Sequence, residues 1–250
     1  DIALGDDIES IHASARGVYG YPRIRLHLSR QGRGHSKRRV ARLMAQRGLK
    51  GRRRGKYKAQ CTHSNHEYGY SRNLLKQELG GSSNNVHQAW VSDTTYIETD
   101  QGWAYLAVTM DLYSRYIVGL SMSAANDSAL TIEAVEKAAK AFNPPKDFIH
   151  HSDRGSTYAS DGFRKAIGQV KARSSMSAKG NCYDNAAMES FFGTLKAECT
   201  LNLAYRDFKQ AEQSIFSYIE GFYNSSRLHT SIRCTPKERI SNANAKDMAA

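Results

Sequence analysis

Apolar positions change their spacing twice along the chain, and the changes divide it. Over residues 1–58 they recur three and four apart among basic residues; from Val86 they crowd into short runs rich in Val, Ile, Tyr and Trp; after Ala129 helical and extended runs alternate. The first stretch predicts three short helices. Residues 6–15 are amphipathic through Ile8 and Ile11, and Pro22, suited to a first helical turn, opens a helix over residues 21–29. Ser36 caps a third that runs to about Arg47 and stops at Gly48, with Val40, Leu43 and Met44 at i, i+3 and i+4. Two such helices joined by the turn at residues 31–35 suit a helix-turn-helix.

The second stretch predicts strands at residues 87–98, 103–112 and 115–122, separated by intervals short enough for hairpin turns. A helix over residues 129–142 is ended by Asn143-Pro144-Pro145, and a short apolar run at 147–152 then adds a parallel strand that leads into Asp153. A helix at 160–168, a fifth strand at 171–176 and a long helix at 184–200 complete the order βββαβαβα. The fold class is therefore α/β, a mixed five-stranded sheet with flanking helices, preceded by a small all-α unit. A last helix over 207–223 carries Phe208, Ala211, Ile215, Ile219 and Phe222 along one side, which suits core packing or, failing that, an oligomer contact. The expected organisation is a basic unit at 1–58, a polar linker at 59–85, an α/β domain at 86–240 and a tail at 241–250.

Composition changes this picture little, and charge changes it more. Of 250 residues, 40% are hydrophobic and 24% charged, as in soluble globular proteins. No run approaches the ~18 apolar residues of a membrane span and no secretory signal opens the chain, so a cytoplasmic protein is expected. Because the sequence begins with Asp1 and not Met, it is expected to be cut from something longer. The cysteines Cys61, Cys182, Cys199 and Cys234 form no Cys-x-x-Cys, and Cys61, His63 and His66 lack a second ligand pair, so neither a disulfide frame nor a zinc site is expected. Residues 1–60 hold 16 Lys and Arg against 4 Asp and Glu, whereas residues 61–250 balance at 20 and 20. The whole net charge of +12 thus sits in the first quarter, a field that favours a polyanion. Lys37, Arg38, Arg39 and Arg42 on the third helix and Arg52, Arg53 and Arg54 in the run after it are the candidate DNA contacts, the first set for a major groove and the second for phosphates or a minor groove.

Three acids carry the candidate chemistry. Asp93 lies in Trp-Val-Ser-Asp-Thr-Thr-Tyr, Asp153 in His-His-Ser-Asp-Arg-Gly, and Glu189 in Asp-Asn-Ala-Ala-Met-Glu-Ser-Phe-Phe, with 35 residues between the second and third. Acids at the ends of two strands and on a following helix can converge where carboxylate oxygens hold hard divalent cations such as Mg²⁺. Lys196, two helical turns after Glu189, is placed to contact a DNA phosphate, and the Ser- and Gly-containing segment 174–183, with Lys179 in it, reads as a mobile loop over the site. His150 and His151 are weaker candidates, since alternation should bury one of them. Asp184, Asn185 and Asp111 read as capping residues.

These motifs resemble those of the transposases of the bacterial insertion sequence 3 family, with retroviral integrases as more distant relatives. The resemblance also covers Gly-Val-Tyr-Gly-Tyr-Pro-Arg-Ile at 17–24, Arg-Arg-Val-Ala-Arg-Leu-Met at 38–44 and, near the end, Tyr223-Asn224, Arg227, His229 and Thr235-Pro236. It implies a ribonuclease H-like sheet and a DNA transposase that cuts element ends and joins the 3′-hydroxyl to DNA. It further implies two Mg²⁺ ions, with Mn²⁺ as a substitute, Asp93 bridging them and Asp153 and Glu189 each completing one. DNA, further copies of the chain on that DNA and an upstream-frame product or region are the implied partners. The alternative is a non-catalytic helix-turn-helix regulator carrying a relic ribonuclease H-like domain.

Overall fold

The computed structural model describes residues 1–52, 69–178, 185–200 and 203–247. Arg53, Arg54, Cys61, His63, His66, Lys179, Cys182 and Asp184 lie outside them. The amino-terminal unit is three helices, α1 (Ile2–Ser14), α2 (Tyr21–Arg30) and α3 (Lys37–Gln46). Helix α1 starts four residues earlier than the pattern suggests because Leu4 is buried and extends the apolar face of Ile8 and Ile11. Ser36 caps α3, its Oγ accepting from the Arg39 amide at 3.2 Å, and Gly48 after it takes φ +67°, a left-handed turn open to glycine.

Strands β1 (Ala89–Thr99), β2 (Gly102–Asp111) and β3 (Ile117–Ser123) form the antiparallel meander, and β4 (Ile149–Ser152) and β5 (Arg173–Met176) extend it in parallel. The order β3-β2-β1-β4-β5 is that of a ribonuclease H-like sheet. Helices cover both faces. On one, α5 (Ser128–Phe142) lies so close to β3 that a Cβ at Gly119 would press into the Ala134 carbonyl oxygen, and α6 (Ser156–Ala159) and α7 (Asp161–Gln169) pack beside it through Tyr158, Phe163 and Ile167. On the other, Val91, Leu106, Val108 and Ile117 meet α8 (Ala186–Leu195) and α9 (Phe208–Tyr218).

Predicted strand ends agree within two residues, but three other features differ from expectation. The segment read as a polar linker contains helix α4 (Leu74–Leu79), whose Leu75 is buried and whose amide is held by the Ser175 hydroxyl at 3.1 Å. The long helices at 184–200 and 207–223 each change to a π-helical end, at Lys196–Thr200 and Ile219–Asn224. Helix α10 (Pro236–Asp247) runs on past residue 240, where a tail was expected. None of the helices among the described residues is long and apolar enough to cross a membrane.

The amino-terminal unit does not stand apart. Its core is continuous with that of the sheet domain. The Tyr19 hydroxyl accepts from the Leu228 amide at 2.7 Å, Arg23 pairs with Glu198 at 3.4 Å, and Arg30 pairs with Glu238 at 2.6 Å.

Candidate active site

The parallel ladder between β1 and β4 pairs Ala89 with Ile149 and ends at Ser92 opposite Ser152. The residue that follows each of these serines is an acid. Asp93 and Asp153 therefore emerge together at the carboxyl end of β4, the position where ligands collect in open α/β sheets. Gly155 fixes the second acid: its amide donates to Asp153 Oδ1 at 2.9 Å. The Thr94 amide donates to Asp93 Oδ1 at 2.8 Å. Glu189 comes from the first turn of α8, which packs across β1.

Electrostatics links the four groups. Burial holds the Asp93 carboxyl well above the usual carboxylate range, the Asp153 and Glu189 charges push it further, and the Thr94 amide and Lys196 ammonium oppose them. Burial likewise raises Glu189 and lowers Lys196, the latter drawn back up by Asp93. The charges of Asp153 and Glu189 thus act on Asp93, although among the described residues no three His, Cys, Asp or Glu side chains stand close enough together to ligate one ion. Among the described residues the donor set is carboxylate oxygen with no thiol or imidazole directed to it, which fits a hard divalent cation.

The two histidines do not join it. Both are buried, because β4 has strands on each side and helices on both faces. His150 Nε2 meets Ser92 Oγ at 2.8 Å, and His151 is held between Ser175 Oγ at 2.8 Å and Ser177 Oγ at 3.1 Å. The expectation that alternation buries only one is thereby corrected. Asp111 is a structural acid that accepts from the His87 and Ser114 amides, each at 2.8 Å. Asn185 precedes α8 without capping it, and among the described residues neither polar atom of its buried side chain has a partner. Ser174–Met176 belong to β5 and not to a loop.

On the amino-terminal unit, Lys37 lies over the Tyr21 ring at 5.3 Å, and Arg39 and Arg42 both pair with Asp1 at 2.8 Å. Arg38 is exposed and makes no ion pair among the described residues. Arg52 is exposed, its amide donating to the Val18 carbonyl at 3.2 Å. A group that sequence reasoning missed is Glu198, two residues beyond Lys196, whose buried carboxylate gathers Arg227, Tyr218 and Arg23. The arginine lay within a motif, but no spacing connected it to this acid.

A helical unit followed by a ribonuclease H-like sheet, with one acid within β1 and another just past β4, defines an integrase-core protein. Comparison with known proteins agrees: an integrase core domain model matches residues 83–182, a second integrase core domain model residues 189–239, and an HTH-like domain model residues 1–57. The chain is 39% identical over 230 residues to the insertion element IS600 uncharacterized 31 kDa protein of Shigella sonnei, covering 92% of this chain and 84% of that one. It is 37% identical over 226 residues to the transposase InsF for insertion sequence IS3A of Escherichia coli (strain K12), with 90% and 77% covered. It is 39% identical over 232 residues to the transposase for insertion sequence element IS904 of Lactococcus lactis, with 92% and 89% covered. The HTLV-2 integrase catalytic core domain, solved in complex with magnesium, superposes with a TM-score of 0.46 at 16% identity over 62% of this chain and 97% of that one. The chain belongs to the insertion sequence 3 family of transposases.

Proposed function

We propose that this chain is a DNA transposase that cleaves the ends of an insertion sequence and joins the freed 3′-hydroxyl to target DNA. Family membership supports DNA transposition, and the observation that carries the finer reading is the half-buried Asp93, one residue past the register pair Ser92–Ser152 as Asp153 is, with the charges of Asp153 and Glu189 acting on it. Positive charge bound there would relieve the raised Asp93 carboxyl. Asp93, Asp153 and Glu189 would hold two Mg²⁺ ions, or Mn²⁺. When bound, such ions supply a Lewis acid at the scissile phosphate and lower the pKa of the attacking oxygen. The protein's own contributions are distinct from this. Asp93, Asp153 and Glu189 present carboxylate oxygens, and Lys196, whose ammonium already acts on Asp93, would offer it to a DNA phosphate.

On this reading residues 1–58 hold the DNA end and residues 86–240 carry the chemistry. Lys37, Arg38, Arg39 and Arg42 would enter a major groove, and Arg52, Arg53, Arg54 and Lys179 would meet phosphates. Two element ends brought together imply more than one copy of the chain on DNA, and an upstream-frame product or region is the further partner. The test is a strand-joining assay in Mg²⁺ on oligonucleotides carrying the element's ends. Asp93→Ala, Asp153→Ala and Glu189→Ala are each expected to abolish joining and to keep DNA binding. Near-wild-type joining by any one removes that residue from the centre, and binding without joining by the wild-type chain favours the regulator.

A further inference from the structure

Two large aromatic rings lie open to solvent on the β1–β2 hairpin that carries Asp93. Tyr96 follows Asp93 by three residues on β1, past the point where β4 ends at Ser152. Trp103 stands on β2 opposite Glu98. Their rings meet edge to face, with centroids 5.0 Å apart and planes at 86°, and they remain 52% and 51% exposed. The Lys196 Nζ sits 4.8 Å from the Tyr96 ring centroid, and the same ammonium acts on Asp93. One cation therefore joins the aromatic pair to the acidic centre.

A cross-strand aromatic pair stabilises a hairpin whether or not it binds anything. Here, however, about half of each ring faces water next to a site read as acting on DNA, and a lysine stands against one of them. Aromatic faces with an adjacent cation are the means by which proteins hold unpaired bases, the ring taking the base and the cation its phosphate. A base inside a duplex has both faces covered by its neighbours, whereas an unpaired base at a DNA end offers one. Distance sets which base. Three residues of strand span about 10 Å, or about three base steps at roughly 3.4 Å each along one strand.

We propose that Tyr96 and Trp103 form a stacking platform for an unpaired nucleobase within about three nucleotides of the phosphate held at Asp93, Asp153 and Glu189. This rests on the DNA-end reading given above, and the test separates the two. One duplex carrying an element end is prepared flush or with its last three pairs mismatched, and the affinity of the whole chain for each is measured by fluorescence anisotropy in Mg²⁺. The mismatched end binds roughly 5- to 100-fold more tightly, as expected for one stacked base. Tyr96→Leu combined with Trp103→Leu removes that preference and leaves flush-end affinity unchanged, while Trp103→Phe keeps it. A second measurement needs no variant. Of the two tryptophans, Trp90 is fully buried, so collisional quenching by acrylamide reports Trp103, and the mismatched end shields it where the flush end does not. Equal affinity for the two ends, a preference that survives in the double leucine variant, or unchanged quenching overturns the platform. Strand joining on the same duplexes tells the failures apart: joining without end preference removes the platform alone, and end preference without joining removes the catalytic reading alone.

Discussion

Arg227 grips Glu198 with two nitrogens, Nε at 2.7 Å and Nη2 at 2.6 Å, in a pair where neither side chain is more than 3% exposed. The Tyr218 hydroxyl donates to the same carboxylate at 2.8 Å and Arg23 reaches it from α2. Glu198 thereby ties the amino-terminal unit and the carboxyl-terminal segment to the helical extension that carries Lys196. Removing one partner of a buried pair strands the other charge, so Arg227→Ala is expected to cost about 3 kcal/mol, the lower end of the range because Arg23 remains. Arg227→Met with Glu198→Leu should cost less than either single change. Urea unfolding measures both, and a loss below about 1 kcal/mol for Arg227→Ala contradicts the account.

His150 gives a pH dependence of known sign. Burial first, and then the neighbouring His151, pushes its imidazole down to about 3, whereas the unfolded chain titrates near 6.5. Between those values the unfolded state binds a proton that the native state refuses. Stability is therefore full above about pH 6.5 and falls as pH drops toward 3, by about 2 kcal/mol at pH 5. His150→Gln should remove this component. Comparing urea midpoints of variant and wild type at pH 7 and pH 5 checks it; the same acid-side loss in both means that another group is responsible.

Recognition of the element end is expected from α3. Arg39 and Arg42 are engaged with Asp1 whereas Arg38 is exposed without an ion pair among the described residues, so Arg38 is the foremost base-reading candidate. Arg38→Ala should cost about 1 to 3 kcal/mol on the cognate end and much less on random duplex. Equal losses on both duplexes would make it a phosphate contact.

The sheet was legible because its strands are apolar runs separated by turns too short for other connections, and the same runs brought Asp93 and Asp153 to neighbouring register positions. The misses have physical causes. Helix α4 is six residues long with only Leu75 buried, too short to show a period. The burial of both histidines depends on β4 lying between β1 and β5, which four residues of sequence do not reveal. The Glu198–Arg227 pair joins residues 29 apart, and pairing at that range leaves no local pattern.

Asp93 offers a test of the metal centre that does not depend on turnover. Its native pKa is raised, so across the window from the ordinary carboxylate value up to that raised value the native state holds the proton more firmly than the unfolded chain does. Stability therefore falls as pH rises through the window, so desolvation and the two neighbouring acids impose on Asp93 a penalty that the wild-type protein carries at neutral pH. Asparagine keeps the shape and removes the charge. In EDTA at pH 7, Asp93→Asn is expected to melt above the wild type. Adding Mg²⁺ reverses the order, since an ion bound only to the native state stabilises it by about 2.7 kcal/mol at a hundredfold excess over its Kd, and the asparagine variant has lost that carboxylate ligand. Thermal melts of both proteins with EDTA and with Mg²⁺ decide the matter. A variant that melts below the wild type in EDTA shows that Asp93 is not under electrostatic stress, and a variant that gains as much from Mg²⁺ as the wild type shows that Asp93 does not hold the ion.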